Sequence, residues 1–268
     1  MNGAGLAGSA SANPVPAVAR VFDFHARLAP RPAARATLMS TMDSCGIDRA
    51  AVVAGGVVDL DRLSSQIMTG GHVKNGADNE HVHAACAGST GRLVPFYFAN
   101  PYAGAEEYRR HAGRFRGVEL SPAVYGIGFD DARTRALVEV AAEARHPVYT
   151  VCLGRPGSRT ADLVRLAAAY PDVVFVFGHA GLIAIDTGAL TAIAPRDNIV
   201  VETSGCLTVV ARTAIDRLGA DRVLFGTEYP LQHPSVELAK WAALDLDPET
   251  WRHVAWNNAH RLLGEEPR

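Results

Sequence analysis

Short β-branched and aromatic runs alternate with helical patterns eight times between Arg20 and residue 226, and no other feature constrains the fold as strongly. The runs are "RVFDF", "RAAVVAGG", "RLVPFYFA" (92–99), "GVELS" (117–121), "HPVYTVCL" (146–153), "VVFVFG" (173–178), "NIVVETS" (198–204) and "RVLFG" (222–226). Nearly all are followed by a segment with apolar residues at helical spacing, as in "ARATLMSTMDSCG", where Gly46 stops the turn. Strands returned to by way of a helix lie parallel, and eight such units in about 250 residues make a (β/α)8 TIM barrel. No linker or repeat divides the chain, so residues 20–268 read as one barrel domain. A doubly wound sheet is the runner-up. It would favour a glycine-rich phosphate loop after the first strand, and "HARLAPRP" offers none.

The bulk figures narrow the function. Hydrophobic residues form 48% of 268, enough for a sizeable core, and a formal net charge of −2 argues against nucleic acid as a partner. No apolar run reaches the length of a membrane span, and residues 1–19 lack the charged start and apolar centre of a signal peptide. They read as a disordered tail and the protein as cytoplasmic. The cysteines, Cys45, Cys86, Cys152 and Cys206, are too scattered for a zinc module or disulfide framework. A small molecule is the expected partner.

In a barrel, chemistry gathers at the C-terminal ends of the strands. Asp23, His25 and Arg27 alternate along the first strand and so share a face. Later strand ends contribute Asn100, Glu119 with Ser121, Thr150-Val151-Cys152, His179, Glu202 with Ser204, and Glu228. One histidine at a strand end is ordinarily structural, but His25 and His179 together, with an acid on the last strand, favour a site. Glu119 and Glu202 could equally bond backbone or arginine. "EHVH" at 80–83 is no metal motif: on a helix His81 and His83 stand about 200° apart. His233 reads as surface loop. Residues 56–78 read as a long polar loop, either a lid hinged at Gly70-Gly71 or a static excursion.

Six stretches, in order from residue 20 to about 264, together resemble the amidohydrolase superfamily, in its amidohydrolase-related branch of decarboxylases and lactone hydrolases. They are "FDFHAR", "GRLVPFYFANP", "RHPVYTVCLG", "VFVFGHAG", "RVLFGTEYP" and "NNAHRLLG". The resemblance implies a single divalent ion held by two first-strand histidines, a strand-five histidine and a strand-eight aspartate, with a strand-six histidine as acid/base. Here His25 matches the first ligand, Arg27 replaces the second, and Glu228 replaces the aspartate. Val151 takes the strand-five place, or Cys152 if the register slips, and His179 matches the strand-six histidine. The carboxylated-lysine bridge of binuclear members is excluded, because neither Lys74 nor Lys240 lies on a strand.

A guanidinium cannot ligate and repels a nearby dication. The departures therefore lead to an expectation of no cofactor. His179, Glu228 and His25 would do acid/base work, and Arg27 would bind an anionic group of a carboxylate- or carbonyl-bearing substrate. Asn100, Glu119, Cys152 and Glu202 would complete the pocket. Hydrolysis, decarboxylation, dehydration or cyclisation would all fit. The alternative is a zinc-dependent hydrolase of ordinary family type, with His25, His179, Glu228 and Cys152 as ligands. A second alternative is a non-catalytic ligand-binding barrel. Barrels of this family often self-associate, so a homo-oligomer is compatible with the reading.

Overall fold

A computed structural model of the chain describes residues 20–181 and 185–267; the tail expected over 1–19 lies outside them. Among the described residues nine parallel strands form two hydrogen-bonded runs, β1 to β3 and β4 to β9. They are β1 Phe22–Leu28, β2 Arg49–Ala54, β3 Leu93–Pro95, β4 Tyr97–Phe98, β5 Val118–Leu120, β6 Val148–Thr150, β7 Phe175–Phe177, β8 Ile199–Glu202 and β9 Val223–Leu224. Only Phe96 separates β3 from β4, and its N–H bonds Val52 O at 2.8 Å. These two are one expected strand, interrupted beside Pro95, which has no N–H for the ladder. The eight expected strands are therefore all present.

The two outer edges also meet. Phe24 N donates to Phe225 O at 2.9 Å, Glu228 N to His25 O at 2.8 Å and Arg27 N to Tyr229 O at 2.7 Å. The Asp23 carboxylate reinforces this seam, accepting from Thr227 N at 2.9 Å and Thr227 Oγ1 at 2.5 Å. Burial lifts its pKa to about 7, against the lowering effect of its bonds to Thr227 and His25. Asp23 thus serves as a clasp between the first strand and the last. Phe22, Phe24, Val148, Phe175, Val201 and Phe225 are all but inaccessible, the core that the alternation anticipated.

The helices pack outside, among them α1 Ala34–Cys45, α2 Leu60–Thr69, α3 Asn79–Ala87, α4 Ala105–His111, α5 Pro122–Tyr125 and α6 Ala132–Ala144. Gly46 closes α1 at φ 71° as expected. The segment 56–78 corrects the reading of a long loop. Asp59 caps a ten-residue helix there by accepting from Arg62 N at 2.8 Å, and Gly70 and Gly71 follow at φ 92° and 124°. Leu60, Leu63 and Ile67 lie on one face of α2, which looks onto the cavity at the C-terminal rim. No helix among the described residues is long and apolar enough to cross a membrane.

Candidate active site

Four side chains cluster at and beneath that rim. Arg27, at the end of β1, donates from Nε to Glu228 Oε1 at 2.5 Å and from its two terminal nitrogens to Glu119 at 2.9 and 3.3 Å. Imidazole nitrogen Nε2 of His25 lies 3.1 Å from Glu119 Oε2, while its Nδ1 abuts Glu228 Oε2. The His25 ring lies flat on the Tyr149 ring, centroids 3.8 Å apart and planes 5° apart.

Each charge is set by this company. Burial disfavours a charged His25, yet the carboxylate of Glu228, aided by Glu119 and opposed by Arg27, raises its pKa to about 9. Burial likewise opposes the charge on Glu228, but Arg27 and then His25 hold its pKa well below the usual range. Glu119 is lowered too, burial again being overcome by Arg27 and His25. Two carboxylates, a guanidinium and an imidazolium therefore balance at neutral pH.

His179 follows β7 with its backbone at φ 59°, an uncommon conformation for any residue but glycine. That twist turns the ring toward Glu228, whose own φ is 56°. Nε2 of His179 stands 3.9 Å from Glu228 Oε2, and Nδ1 is 2.9 Å from Ser204 Oγ. Behind them, the fully buried Glu202 receives the Tyr149 hydroxyl at 2.9 Å and the Ser204 hydroxyl at 3.0 Å. His25, His179 and Glu228, the residues named from sequence as catalytic, come together. Arg27 joins them, but its charge is matched by Glu119 and Glu228.

Other expectations are corrected. Asn100 faces away: it donates to Lys74 O at 2.9 Å and accepts from Tyr102 N, closing a turn. Cys152 borders the cavity, but burial pushes its thiol pKa far up, leaving a poor ligand. Val151 borders the same cavity beside Cys152. Glu119 and Glu202 are enclosed by the protein groups they bond and do not line the cavity. His81 and His83 sit on α3, and His233 caps a later helix by accepting from Ser235 N.

Sequence reading missed Tyr149. A signal was present: Tyr149 lies two residues before Val151, and residues two apart on an extended run share a face. Missed as well was Arg31, which lines the cavity, is exposed, and among the described residues has no partner for its guanidinium. The cavity has a volume of about 700 Å³. Val57, Leu60, Leu63 and Ile67 make one apolar wall, Phe98 and Val124 another, and Arg27, His179 and Glu228 the polar base. Such a vessel suits a small, flat, largely apolar molecule with a polar end.

A single-domain parallel α/β barrel with its charged cluster at the C-terminal strand ends has the layout of a barrel enzyme. The amidohydrolase family model matches residues 22–264, and the chain belongs to that family. No curated protein sequence is significantly similar to it. Among solved structures it is similar to 5-carboxyvanillate decarboxylase from Novosphingobium aromaticivorans with bound manganese (17% identity, 92% of this chain and 97% of that one, TM-score 0.69). It also resembles 2,6-dihydroxybenzoate decarboxylase from Rhizobium (16%, 92% and 99%, TM-score 0.68). A third is dihydroxybenzoic acid decarboxylase from Polaromonas sp. JS666, with manganese and 2-nitroresorcinol (16%, 92% and 97%, TM-score 0.66). These likenesses establish the TIM-barrel fold. The expectation of no cofactor does not survive them, since two of the three hold manganese.

The donors present bear on that correction. Among the described residues no three His, Cys, Asp or Glu side chains form a ready-made metal cage. Even so, His25 Nδ1 and Glu228 Oε2 are buried, face each other and lack a well-formed hydrogen bond, and His179 Nε2 looks onto the same carboxylate oxygen. An imidazole nitrogen and a carboxylate oxygen suit a divalent ion in kind, with water and substrate oxygens to complete its shell. The proton on His25 holds the positive charge that such an ion would bring, and a metal would displace it.

Proposed function

We propose that this enzyme removes or cleaves a group on a small aromatic carboxylate, decarboxylation being the favoured reaction and a divalent ion its cofactor. The observation that carries this reading is the convergence of His25 Nδ1, His179 Nε2 and Glu228 Oε2 at the base of a cavity with apolar walls. The decarboxylases of similar fold support it. His25 Nδ1 and Glu228 Oε2 would hold the ion, which when bound supplies a Lewis-acid anchor for substrate oxygens, and His179 Nε2 stays free for proton transfer.

The chain's own groups do the rest. The apolar face of α2 and Phe98 sandwich the ring and exclude water, which strengthens each charge interaction at the base. Arg27 keeps Glu119 and Glu228 ionised and in place. Arg31, at the cavity lining and without a guanidinium partner among the described residues, is the cation left for an anionic substituent, the role expected of Arg27. In decarboxylation the bond from ring carbon to carboxylate breaks, its electron pair returns to the ring carbon, and carbon dioxide leaves. The ring carbon takes a proton in exchange, which a protonated His179 Nε2 is placed to deliver and to recover from water.

The test is release of carbon dioxide from 2,6-dihydroxybenzoate and 5-carboxyvanillate, with protein stripped by chelator and then reloaded with manganese. We expect turnover restored by about one ion per chain and reduced at least about a hundredfold in His179→Asn, with the thermal transition unchanged. Turnover equal to wild type in that variant removes His179 from the chemistry. Ester or lactone hydrolysis without carbon dioxide release moves the protein to the hydrolytic branch.

A further inference from the structure

Glu202 is wholly inaccessible, lies behind the cavity and touches neither the cavity nor the cluster around Arg27. Four donors nevertheless converge on its carboxylate. Oε2 receives the Tyr149 hydroxyl at 2.9 Å, the Ser204 hydroxyl at 3.0 Å and His179 N at 3.2 Å, and Oε1 receives Ser204 N at 2.5 Å. Space has been cleared for this arrangement. A Cβ on Gly226 would collide with the Glu202 carboxylate, and one on Gly178 with the Tyr149 hydroxyl.

The direction of these bonds fixes a proton. An ionised carboxylate only accepts, so the single hydroxyl proton of Ser204 is directed to Glu202. Ser204 Oγ then meets His179 Nδ1, 2.9 Å away, with a lone pair. The backbone oxygen of Ser204, 3.3 Å from the same nitrogen, can also only accept. Both neighbours require the proton on Nδ1, which leaves the Nε2 lone pair facing Glu228 Oε2 and the cavity base.

We infer that Glu202 and Ser204 are positioning residues that lock His179 in the tautomer protonated on Nδ1, presenting Nε2 as its working nitrogen. Neither touches the reacting atoms. The inference rests on the reading of His179 as the working imidazole, but its test does not depend on turnover.

The tautomer is read directly from the ring-nitrogen chemical shifts of the full chain, labelled with ¹⁵N-histidine. The protein is stripped of metal and held at pH about 8, above the ordinary imidazole range. His179→Asn assigns the signals. Wild type should show His179 almost wholly protonated on Nδ1. Ser204→Thr, which keeps the hydroxyl, should retain that state, and Ser204→Ala should lower it to about half. In Glu202→Gln an amide nitrogen replaces one of the accepting oxygens, so the Ser204 hydroxyl is held less firmly away from Nδ1 and the Nε2-protonated share should rise. Wild type protonated on Nε2 overturns the inference without any variant, and so does an unaltered tautomer in both Ser204→Ala and Glu202→Gln. If the tautomer behaves as described and no aromatic acid is turned over, the proposed reaction fails while the lock stands.

Discussion

The two ends of the barrel carry the same three residue types in close contact, and they behave in opposite ways. At the C-terminal rim, His25 lies among Arg27, Glu119 and Glu228 and is raised to about 9. At the opposite end, His260 lies 3.2 Å from Glu265, which Arg49 holds at 2.6 Å and Arg116 at 3.4 Å. There the imidazole is lowered, first by burial and then by Arg49, with Glu265 in partial opposition. Both rings are buried, so burial alone does not separate them. What differs is the ratio of charges: two carboxylates to one guanidinium at the rim, one carboxylate among guanidiniums at the base. A surplus of carboxylate prepares a site to receive protons or metal, whereas a surplus of arginine secures neutral rings and chain ends.

The most severe way to break this comparison is to remove each central arginine. Arg27→Met leaves two buried carboxylates with only His25 to offset them, and should cost about 3–5 kcal/mol in chemical denaturation. Arg49→Met, at a partly exposed pair, should cost about 1 kcal/mol or less. Equal losses would mean that the two clusters do not differ as described.

pH separates the ends next. With metal removed, His25 binds its proton more tightly folded than unfolded. Its contribution is therefore complete below about pH 6.5, the ordinary imidazole value, and is lost as pH rises through about 9. For His260 the sign reverses: the unfolded chain protonates first, so stability falls as pH drops below about 6.5. Melting temperatures across pH should lose their alkaline slope in His25→Gln and part of their acidic slope in His260→Gln. Swapped slopes would refute the charge-ratio account. The smallest effect sharpens the contrast within the rim itself. Arg31→Ala should raise KM roughly tenfold for a substrate with a second carboxylate and leave kcat nearly unchanged, since Arg31 binds without balancing the cluster. A fall in kcat at constant KM would reject that role.

Much of this was legible in the chain. Eight strands were visible because each carries its own apolar run, and His25, His179 and Glu228 stood out because charged residues interrupt those runs at their ends. Pairing was not legible. Whether Arg27 meets Glu119 or a substrate depends on strands ninety residues apart, and no local pattern encodes that distance. Tyr149 was hidden by its own chemistry, because an aromatic residue within an apolar strand run looks like core. Helix α2 did leave a signal, Asp59 as cap and Leu60, Leu63 and Ile67 at helical spacing, but its polar residues outnumbered the stripe.

The wall and the base of the cavity come from different parts of the chain. The base belongs to the strand ring, where Asp23 is tied to Thr227 and Arg27 to Glu228 across the first and last strands. The wall belongs to α2, which enters through its Asp59 cap and leaves through two glycines. Residues 56–71 thus behave like an exchangeable jaw on a fixed vice, and a grafted segment of similar length would be the natural first step in retargeting the enzyme to a new molecule.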